Sequence, residues 1–456
     1  MKKLFGTDGM RGEAGKFPLD ADTVEIVGMS LANHLREKLG RVPLIVVGRD
    51  TRESGPWLEQ ALARGATAAG ADLQSGGVIT TPGVAYLVRS LSADAGVVIS
   101  ASHNPYQDNG LKIFVPQGSK LDEETERLIE KDIFANTKAL GRAGGHGSKS
   151  APVSTTAAET GFLQSRYLDY LINEIGRGLS LAGLKLVVDC ANGAASALAP
   201  ALLELLGATV IAINNTPDGR NINLNCGSLH TEQLQSEVLK HHSDLGVAFD
   251  GDADRSLFVD SGGQLVNGDG SLWVLAKYLH SHNRLIHETV VATVMSNVGL
   301  ELALKSRGLS LVRTDVGDKY VLDELLRSGA TLGGEQSGHI ILPRLSLAGD
   351  GLITTLSLLR VVAEENKSLD QLTEGFEVFP QVLVNIKVKQ KRPFGEFTSI
   401  TKVAREIENE LGSRGRLLLR YSGTEPLARV MIEGESQSQI EAFASGLAAV
   451  IEETLG

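Results

Sequence analysis

Cysteine is nearly absent from this 456-residue chain; Cys190 and Cys226 are the only two. Two thiols are too few for a disulfide framework or a structural zinc site at this size, and a reducing cytoplasm is the expected setting. Long apolar runs are missing as well. No stretch offers roughly 18 uninterrupted apolar residues, which excludes a membrane-spanning helix. The N-terminus reaches Gly6, Thr7 and Asp8 before any apolar segment can form, so no secretory signal is expected. Nor is there a surplus of positive charge. The formal net charge of −11 argues against nonspecific nucleic-acid binding, which depends on many Lys and Arg set against phosphates. An anionic substrate would need a local cluster of cations working against that global field, so the Arg and Lys residues inside glycine-rich loops matter most. Hydrophobic content of 42% with 22% charge is ordinary for a globular chain and excludes a disordered one. A single core stops growing near about 250 to 300 residues, so several domains are expected.

A weak internal repeat supplies the organisation. Leu44 to Gly48 reads as a buried strand, ends in Arg49-Asp50-Thr51-Arg52 and precedes a helix from about Trp57. Leu186 to Val188 ends in Asp189-Cys190-Ala191-Asn192-Gly193 before a helix through Leu206, and Val290 to Thr293 ends in Met295-Ser296-Asn297 before Leu300 to Ser306. Strand, polar turn and helix in each copy signal an α/β architecture. Each copy continues to a second apolar strand that stops in an unusual loop. Ala95 to Ile99 runs into Ser100-Ala101-Ser102-His103-Asn104-Pro105, and Leu245 to Phe249 into Asp250-Gly251-Asp252-Ala253-Asp254-Arg255. Ala330 to Leu332 runs into Gly333-Gly334-Glu335-Gln336-Ser337-Gly338-His339. Ligands of open α/β sheets bind beyond the carboxyl ends of strands, so the three loops are expected to converge. Gly141 to Gly161, rich in Gly, Ala, Ser and Thr, reads as a linker. The last part differs: strands at Val382 to Val388, Arg416 to Arg420 and Ala428 to Ile432, with helices at Ile400 to Leu411 and Ile440 to Leu455, predict a small α+β domain.

Asp250, Asp252 and Asp254 at alternate positions repel one another unless a cation sits among them, and hard oxygen ligands suit Mg²⁺. A solvated acidic turn is the plain alternative, weakened because the trio directly follows an apolar strand. A calcium EF-hand fails on the letters, since Arg255 and Ser261 stand where that loop needs Gly and Glu. A phosphatase with an aspartate nucleophile stays open as a rival. Ser102 taken alone is a turn residue. Beside an acidic metal loop and the cationic Lys112 it becomes part of a set for phosphoryl transfer, where positioning and charge neutralisation do most of the catalysis. No Gly-x-x-x-x-Gly-Lys-[Ser/Thr] segment exists, so an ordinary nucleotide P-loop is absent. Arg420, Ser422, Gly423, Thr424 and Arg429 around one turn suit a phosphate dianion, or else form a polar hairpin tip. Arg11, within Gly6 to Gly12, can face an anion. Glu335 and Ser337 can meet sugar hydroxyls, and His339 is either a proton shuttle or hydrogen-bonded structure.

Together Phe5-Gly6-Thr7-Asp8-Gly9-Met10-Arg11-Gly12, the Ser102 loop, the Asp250 to Arg255 loop, Gly334 to His339 and Arg420-Tyr421-Ser422-Gly423-Thr424-Glu425-Pro426 occur in order along the whole chain. In this the chain resembles the α-D-phosphohexomutases, and within them the branch acting on glucosamine phosphates. The resemblance implies three related α/β domains plus a smaller C-terminal α+β domain around a central cleft, with expected bounds 1–155, 156–260, 261–375 and 376–456. It implies an intramolecular phosphotransferase that interconverts glucosamine 6-phosphate and glucosamine 1-phosphate through a 1,6-bisphosphate, supplying UDP-N-acetylglucosamine synthesis. Ser102 would be the phosphoserine and would hold Mg²⁺ with Asp250, Asp252 and Asp254. Arg11, Lys112 and His339 match positions of charge stabilisation and proton transfer. Arg255, Glu335, Ser337, Arg420, Ser422, Gly423, Thr424 and Arg429 match positions of substrate binding. A hexose 1,6-bisphosphate, of glucosamine or glucose, is the implied activator. The expected partner is a small phosphosugar, in a homodimer, with neither nucleic acid nor membrane. A sibling mutase acting on mannose or glucose phosphates, or a noncatalytic phosphosugar-binding protein, are the competing readings. One departure is visible: Leu347-Ala348 precedes Gly349-Asp350-Gly351 where relatives commonly carry a polar Thr-Thr, so local contacts of the third domain are expected to differ.

Overall fold

The computed structural model describes residues 3–6, 8–140, 156–422 and 426–456. They form two compact units, one of residues 1–294 and 312–374 and one of residues 295–311 and 375–456. Three sheets belong to the first unit. In the first, Leu44–Arg49 runs parallel to both Asp72–Val78 and Ala95–Ile99, and Ala95–Ile99 pairs antiparallel with Asp108–Phe114. Ile45, Val46 and Val47 are wholly buried, which explains why this strand is a continuous apolar run and does not alternate. The second sheet repeats the plan: Lys185–Asp189 lies parallel to Thr209–Ile213 and Leu245–Phe249, and Leu245–Phe249 pairs antiparallel with Ser256–Asp260.

The third copy departs from expectation. Ala330 to Leu332 is not a strand; the strand is Gly333–Gly334, parallel to Thr289–Thr293 and antiparallel to Ile340–Ile341. Backbone approach decides it, since a Cβ on Gly334 would lie 2.6 Å from the His339 carbonyl oxygen and one on Gly333 2.8 Å from that of Val291. Only glycine permits such closeness. The expected linker also needs correction where it is described. Thr156 and Glu159 form a capping box for the helix Ala157–Tyr170, so its last residues are helical, while 141–155 lie outside the described residues.

The second unit carries an antiparallel sheet ordered Gln381–Lys387, Leu427–Glu433, Arg416–Tyr421, with helices Thr398–Leu411 and Gln437–Leu455. Ile386, Ile400, Val430, Ile432, Ile440, Leu447 and Ile451 form its own core. Among the described residues no helix is long and apolar enough to cross a membrane.

In the first unit the helices Ala21–Leu39 and Gly55–Ala68 meet backbone to backbone. A Cβ on Gly65 would stand 1.9 Å from the Glu25 carbonyl oxygen, and one on Gly28 2.1 Å from that of Leu62. Alanine is the better helix former by about 1 kcal/mol, but overpacking a tight interface costs about 1–3 kcal/mol, so the clash sets the sign. Gly65→Ala is therefore expected to lower the thermal midpoint. Gly446→Ala, on an exposed stretch of the helix Gln437–Leu455 where a Cβ meets nothing within 4 Å, is expected to leave it unchanged or raise it. Thermal unfolding of the two variants checks the pair.

Candidate active site

The loops that follow the second strands of the three copies interlock at the carboxyl ends of their sheets. The Asp252 carbonyl accepts from Thr81 N at 3.0 Å, and the Gly338 carbonyl from Ser256 N at 3.2 Å. The Ala253 carbonyl accepts from Gly351 N at 3.0 Å. Gly251 packs so closely that a Cβ would sit 2.6 Å from the Ser102 carbonyl oxygen. Ser102 and Ala253 both hold positive φ, 53° and 55°. For residues with a side chain that conformation costs of order 1–3 kcal/mol, and strain of this kind collects where surroundings over-determine a functional loop.

For Ser102 the surroundings are a clamp. Ser102 N donates to Ser100 Oγ at 2.9 Å, and Ser100 Oγ donates to Asp50 Oδ2 at 2.6 Å. Arg52, fully buried, donates from Nε to Asp50 Oδ2 at 2.9 Å, from Nη2 to the carbonyls of Ser102 at 2.9 Å and Asn104 at 2.8 Å, and from Nη1 to those of Pro105 and Asp108. Asn223 Nδ2 adds a second bond to the Ser102 carbonyl at 2.8 Å. With the backbone fixed, Ser102 Oγ donates to Asp250 Oδ2 at 2.6 Å.

Oxygens of Asp250, Asp252 and Asp254 lie within 4.8 Å of one another, and all three side chains are buried. At an effective dielectric of ~20 each such pair of charges repels by about 3–4 kcal/mol. Lys112 answers part of that, with Nζ 2.8 Å from Asp252 Oδ2, 3.1 Å from Asp254 Oδ2 and 3.2 Å from Asp8 Oδ2. Thr81 Oγ1 donates to the same Asp252 oxygen. Burial and the charges of Asp254 and Asp252 push the Asp250 carboxyl well above the usual range. Burial also lifts Asp254, but Lys112 and His339 together pull it well below that range. The Lys112 ammonium, opposed by burial, is raised well above its ordinary value by Asp252, Asp254 and Asp8. Asp252 Oδ1 and Asp254 Oδ1 are buried and accept no hydrogen bond. Three crowded hard oxygen donors, with Asp252 Oδ1 accepting no hydrogen bond and Asp254 Oδ1 faced only by His339 Nδ1 at 3.6 Å, fit a divalent cation, and the trio could hold one.

Beside this centre lies a cleft of about 420 Å³, within the range of small-molecule sites, lined by Asp8, Arg11, Arg255, Asp318, Glu335 and His339 among others. Glu335 is oriented by Gly317 N, donating to Oε1 at 3.1 Å, and by Ser337 Oγ, donating to Oε2 at 3.2 Å. His339 lies against Gly349, where a Cβ would come within 2.3 Å of the imidazole. Burial lowers His339, but Asp254 and then Asp318 lift it further, to about 9, so the ring is charged at neutral pH. Burial, Arg255 and Arg11 bring His103 down to about 4. Leu347 and Ala348, the noted departure, border a neighbouring cavity of about 320 Å³ with Phe114, Leu322 and Ile341.

The first unit thus gathers Ser102, the three aspartates, Arg11, Lys112, Arg255, Glu335, Ser337 and His339. Arg420, Ser422 and Arg429 belong to the second unit, and Gly423 and Thr424 lie outside the described residues. There Arg420 and Arg429 stand directly opposite across the hairpin. Sequence reasoning read Asp50 and Arg52 only as a polar turn and assigned nothing to Thr81, Asn223, Lys120 or Asp318. The one available signal was the opposite-charge pair Asp50 and Arg52 directly after a buried strand.

Four family models match in order: phosphoglucomutase/phosphomannomutase alpha/beta/alpha domain I over residues 2–140, domain II over 165–263, domain III over 267–379, and the C-terminal domain over 383–450. The chain is 48% identical to a phosphoglucosamine mutase of Solibacter usitatus, covering 100% of this chain and 99% of that protein. It is 45% identical to the Myxococcus xanthus phosphoglucosamine mutase, covering 100% and 98%. Among solved structures, a phosphoglucomutase/phosphomannomutase family protein from Burkholderia thailandensis aligns with a TM-score of 0.79 at 25% identity over 99% of this chain and 98% of that one. The Aspergillus fumigatus N-acetylphosphoglucosamine mutase, solved with GlcNAc-6P and magnesium, shares the fold at a TM-score of 0.66 and 19% identity over 99% and 96%.

The clamp yields a prediction. Arg52→Met leaves Asp50 buried without its cation and is expected to destabilise the protein by roughly 3–5 kcal/mol. Arg52→Lys keeps the charge but not the planar fork. It should fold and lose at least tenfold in kcat with a smaller change in KM. Denaturation measurements and steady-state kinetics of the two variants check this.

Proposed function

The chain belongs to the phosphoglucomutase/phosphomannomutase family and is a phosphosugar mutase, and from that premise we propose how its own residues interconvert glucosamine 6-phosphate and glucosamine 1-phosphate. The observation that carries the proposal is the Ser102 hydroxyl held against Asp250 at the edge of three buried carboxylates, beside a cleft lined by Glu335. Ser102 is the phosphorylated residue. In the first half-reaction the P–O bond to Ser102 Oγ breaks as a P–O bond forms to O1 of the 6-phosphosugar. The O1 proton is lost and Ser102 Oγ ends as a hydroxyl. The 1,6-bisphosphate then turns around, O6 leaves its phosphoryl group on Ser102, and the 1-phosphosugar departs. Atoms balance over the cycle, because each half-reaction moves one phosphoryl group and one proton in opposite directions.

Asp250, Asp252 and Asp254, with the Ser102 phosphate, are the proposed ligands of Mg²⁺, which when bound offsets charge on the transferred group. Lys112 and charged His339 stabilise negative charge on the same side, and Arg11 and Arg255 border the cleft as further cations. Glu335 and Ser337 take sugar hydroxyls in both orientations. Arg420, Ser422, Gly423, Thr424 and Arg429 anchor the phosphate that is not being transferred. Fixing the reacting groups in this way converts a bimolecular transfer into an effectively unimolecular one. A hexose 1,6-bisphosphate, of glucosamine or glucose, primes Ser102. The division at 1–155, 156–260, 261–375 and 376–456 belongs to the same proposal, supported by family matches that run a few residues past two of the bounds. So do the cytoplasmic setting and the homodimeric assembly expected from the sequence.

Ser102→Ala is expected to abolish turnover, because the phosphoryl group then has no covalent waystation, while phosphosugar binding persists in part. Intact mass and phosphopeptide mapping should find one phosphate on Ser102 in the wild type and none in the variant; turnover by the variant near the wild-type rate would reject the phosphoserine route.

Substrate choice is tested by competition among glucosamine, glucose and mannose 6-phosphates with enzyme already charged by the matching bisphosphate. Glucosamine 6-phosphate is expected to show the highest kcat/KM. A win for either other sugar would overturn the substrate and leave the mutase standing.

A further inference from the structure

The starts of two helices hold the loop Asp250 to Arg255 from behind. One opens the helix Thr81–Ser90, where Thr81 N donates to the Asp252 carbonyl at 3.0 Å and Thr81 Oγ1 donates to Asp252 Oδ2. The other opens the helix Gly351–Glu365, whose Gly351 N donates to the Ala253 carbonyl at 3.0 Å. A Cβ on Gly351 would lie 2.6 Å from the Arg255 carbonyl oxygen, and one on Gly349 2.3 Å from the His339 ring. Contacts this close leave the second helix start little tolerance for displacement. Each start is capped by the residue before it. Thr80 Oγ1 accepts from Gly83 N at 3.1 Å, and Asp350 Oδ1 accepts from Leu352 N at 2.9 Å and Ile353 N at 3.0 Å.

Asp350 has a third donor that plays no part in capping. Tyr167, fully buried on the helix Ala157–Tyr170, donates from its hydroxyl to Asp350 Oδ2 at 2.7 Å across 183 residues of sequence. Burial and the Asp350 charge push that hydroxyl well above its ordinary value, with the nearby Thr80 side chain pulling the other way, so it is protonated and donating at neutral pH. A buried tyrosine hydroxyl needs an acceptor, and any carbonyl would serve. Tyr170, one turn further along, takes that of Leu345 at 3.1 Å. Tyr167 differs in its choice of acceptor, because Asp350 stands between the glycine that presses on His339 and the glycine that bonds to the acidic loop.

We propose that Tyr167 is a positioning residue for phosphoryl transfer: by holding Asp350 beside the cap of the helix Thr81–Ser90, it fixes the start of the helix Gly351–Glu365 against the loop Asp250 to Arg255 and the His339 ring. The inference rests on the reading of that loop as the divalent-cation centre, and deepens it. Loss of the hydroxyl leaves Asp350 held by its own helix alone, and the loop then has a looser wall behind Ala253. Groups that support metal ligands from behind typically matter 10–100-fold in affinity or activity, and one acting through a further residue belongs at the low end of that range.

The test compares Tyr167→Phe with Tyr170→Phe. Each removes one buried hydroxyl from the same helix, so a purely structural role predicts like effects from both. Turnover of the phosphosugar that wins the competition is measured on bisphosphate-charged enzyme at an Mg²⁺ concentration near the wild-type Kd. Mg²⁺ affinity is measured separately by calorimetry, on preparations matched for Ser102 phosphate by intact mass. Tyr167→Phe is expected to lower kcat about 10-fold with KM within about twofold of wild type, and to weaken Mg²⁺ binding about 10-fold. Tyr170→Phe is expected to leave all three within about twofold. Asp350→Ser keeps a capping hydroxyl but is one bond too short to meet Tyr167, so it should reproduce the Tyr167→Phe pattern and stands in for it if that variant does not fold. Equal effects of the two tyrosine variants, or wild-type kcat and Mg²⁺ affinity in Tyr167→Phe or Asp350→Ser, overturn the proposal. Wild-type protein that binds no Mg²⁺ overturns the reading of the acidic loop and this inference with it.

Discussion

Negative charge crowded into a buried space is the constraint on which this structure turns. Asp250, Asp252 and Asp254 are brought within 4.8 Å of one another by a single loop, and their burial leaves little water to screen them. Lys112 is the direct answer, itself fully buried and therefore tolerable only because Asp8, Asp252 and Asp254 surround it. Neither the lysine nor the carboxylates could be buried alone, since unpaired charges in a low-dielectric interior cost several kcal/mol each. The divergence between Asp250, pushed up, and Asp254, pulled down, follows from which of them faces the lysine.

The same economy governs the loop that carries Ser102. Its left-handed backbone would relax if free, and the Arg52 guanidinium prevents that by bonding to carbonyls along the turn while Asp50 holds the guanidinium. The hydroxyl is thereby presented to the acidic loop with little conformational freedom left, the condition under which preorganisation contributes to rate. Glycines at 251, 338 and 349 let the neighbouring loops close on this point; at each a Cβ would meet backbone or the His339 ring well inside contact distance. Rigid scaffold and reactive site are one set of contacts.

The cleft beside the trio shows how side chains of mixed sign can set a local potential that differs from the chain's net charge of −11. Arg11, Lys112, Lys120, Arg255 and His339 are interleaved with Asp8, Asp254, Asp318 and Glu335, so local potential is set by nearest neighbours and distant charge is largely screened. His103 and His339 both line this cleft yet shift in opposite directions: burial, with Arg255 and Arg11, brings the first down to about 4, whereas Asp254 and Asp318 overcome burial and raise the second to about 9.

Much was legible in the letters. Continuous apolar runs ending in polar loops located the strands Leu44–Arg49, Ala95–Ile99, Lys185–Asp189 and Leu245–Phe249, because a strand buried on both faces has no room for polar residues. The alternate aspartates of the second loop disclosed their crowding, since residues that close in sequence cannot be far apart in space. What only the tertiary structure decided were the meetings between distant segments: Arg52 with the Ser102 turn, Lys112 with Asp252, Lys120 with Asp318, and the shift of the third copy's strand onto Gly333–Gly334. A lone Arg, Lys or Asp carries no mark of its partner, because its pairing depends on loop positions fixed by packing 50, 140 or 198 residues away in these three cases, and a pair of glycines reads as a turn until a neighbouring strand arrives to bond with it.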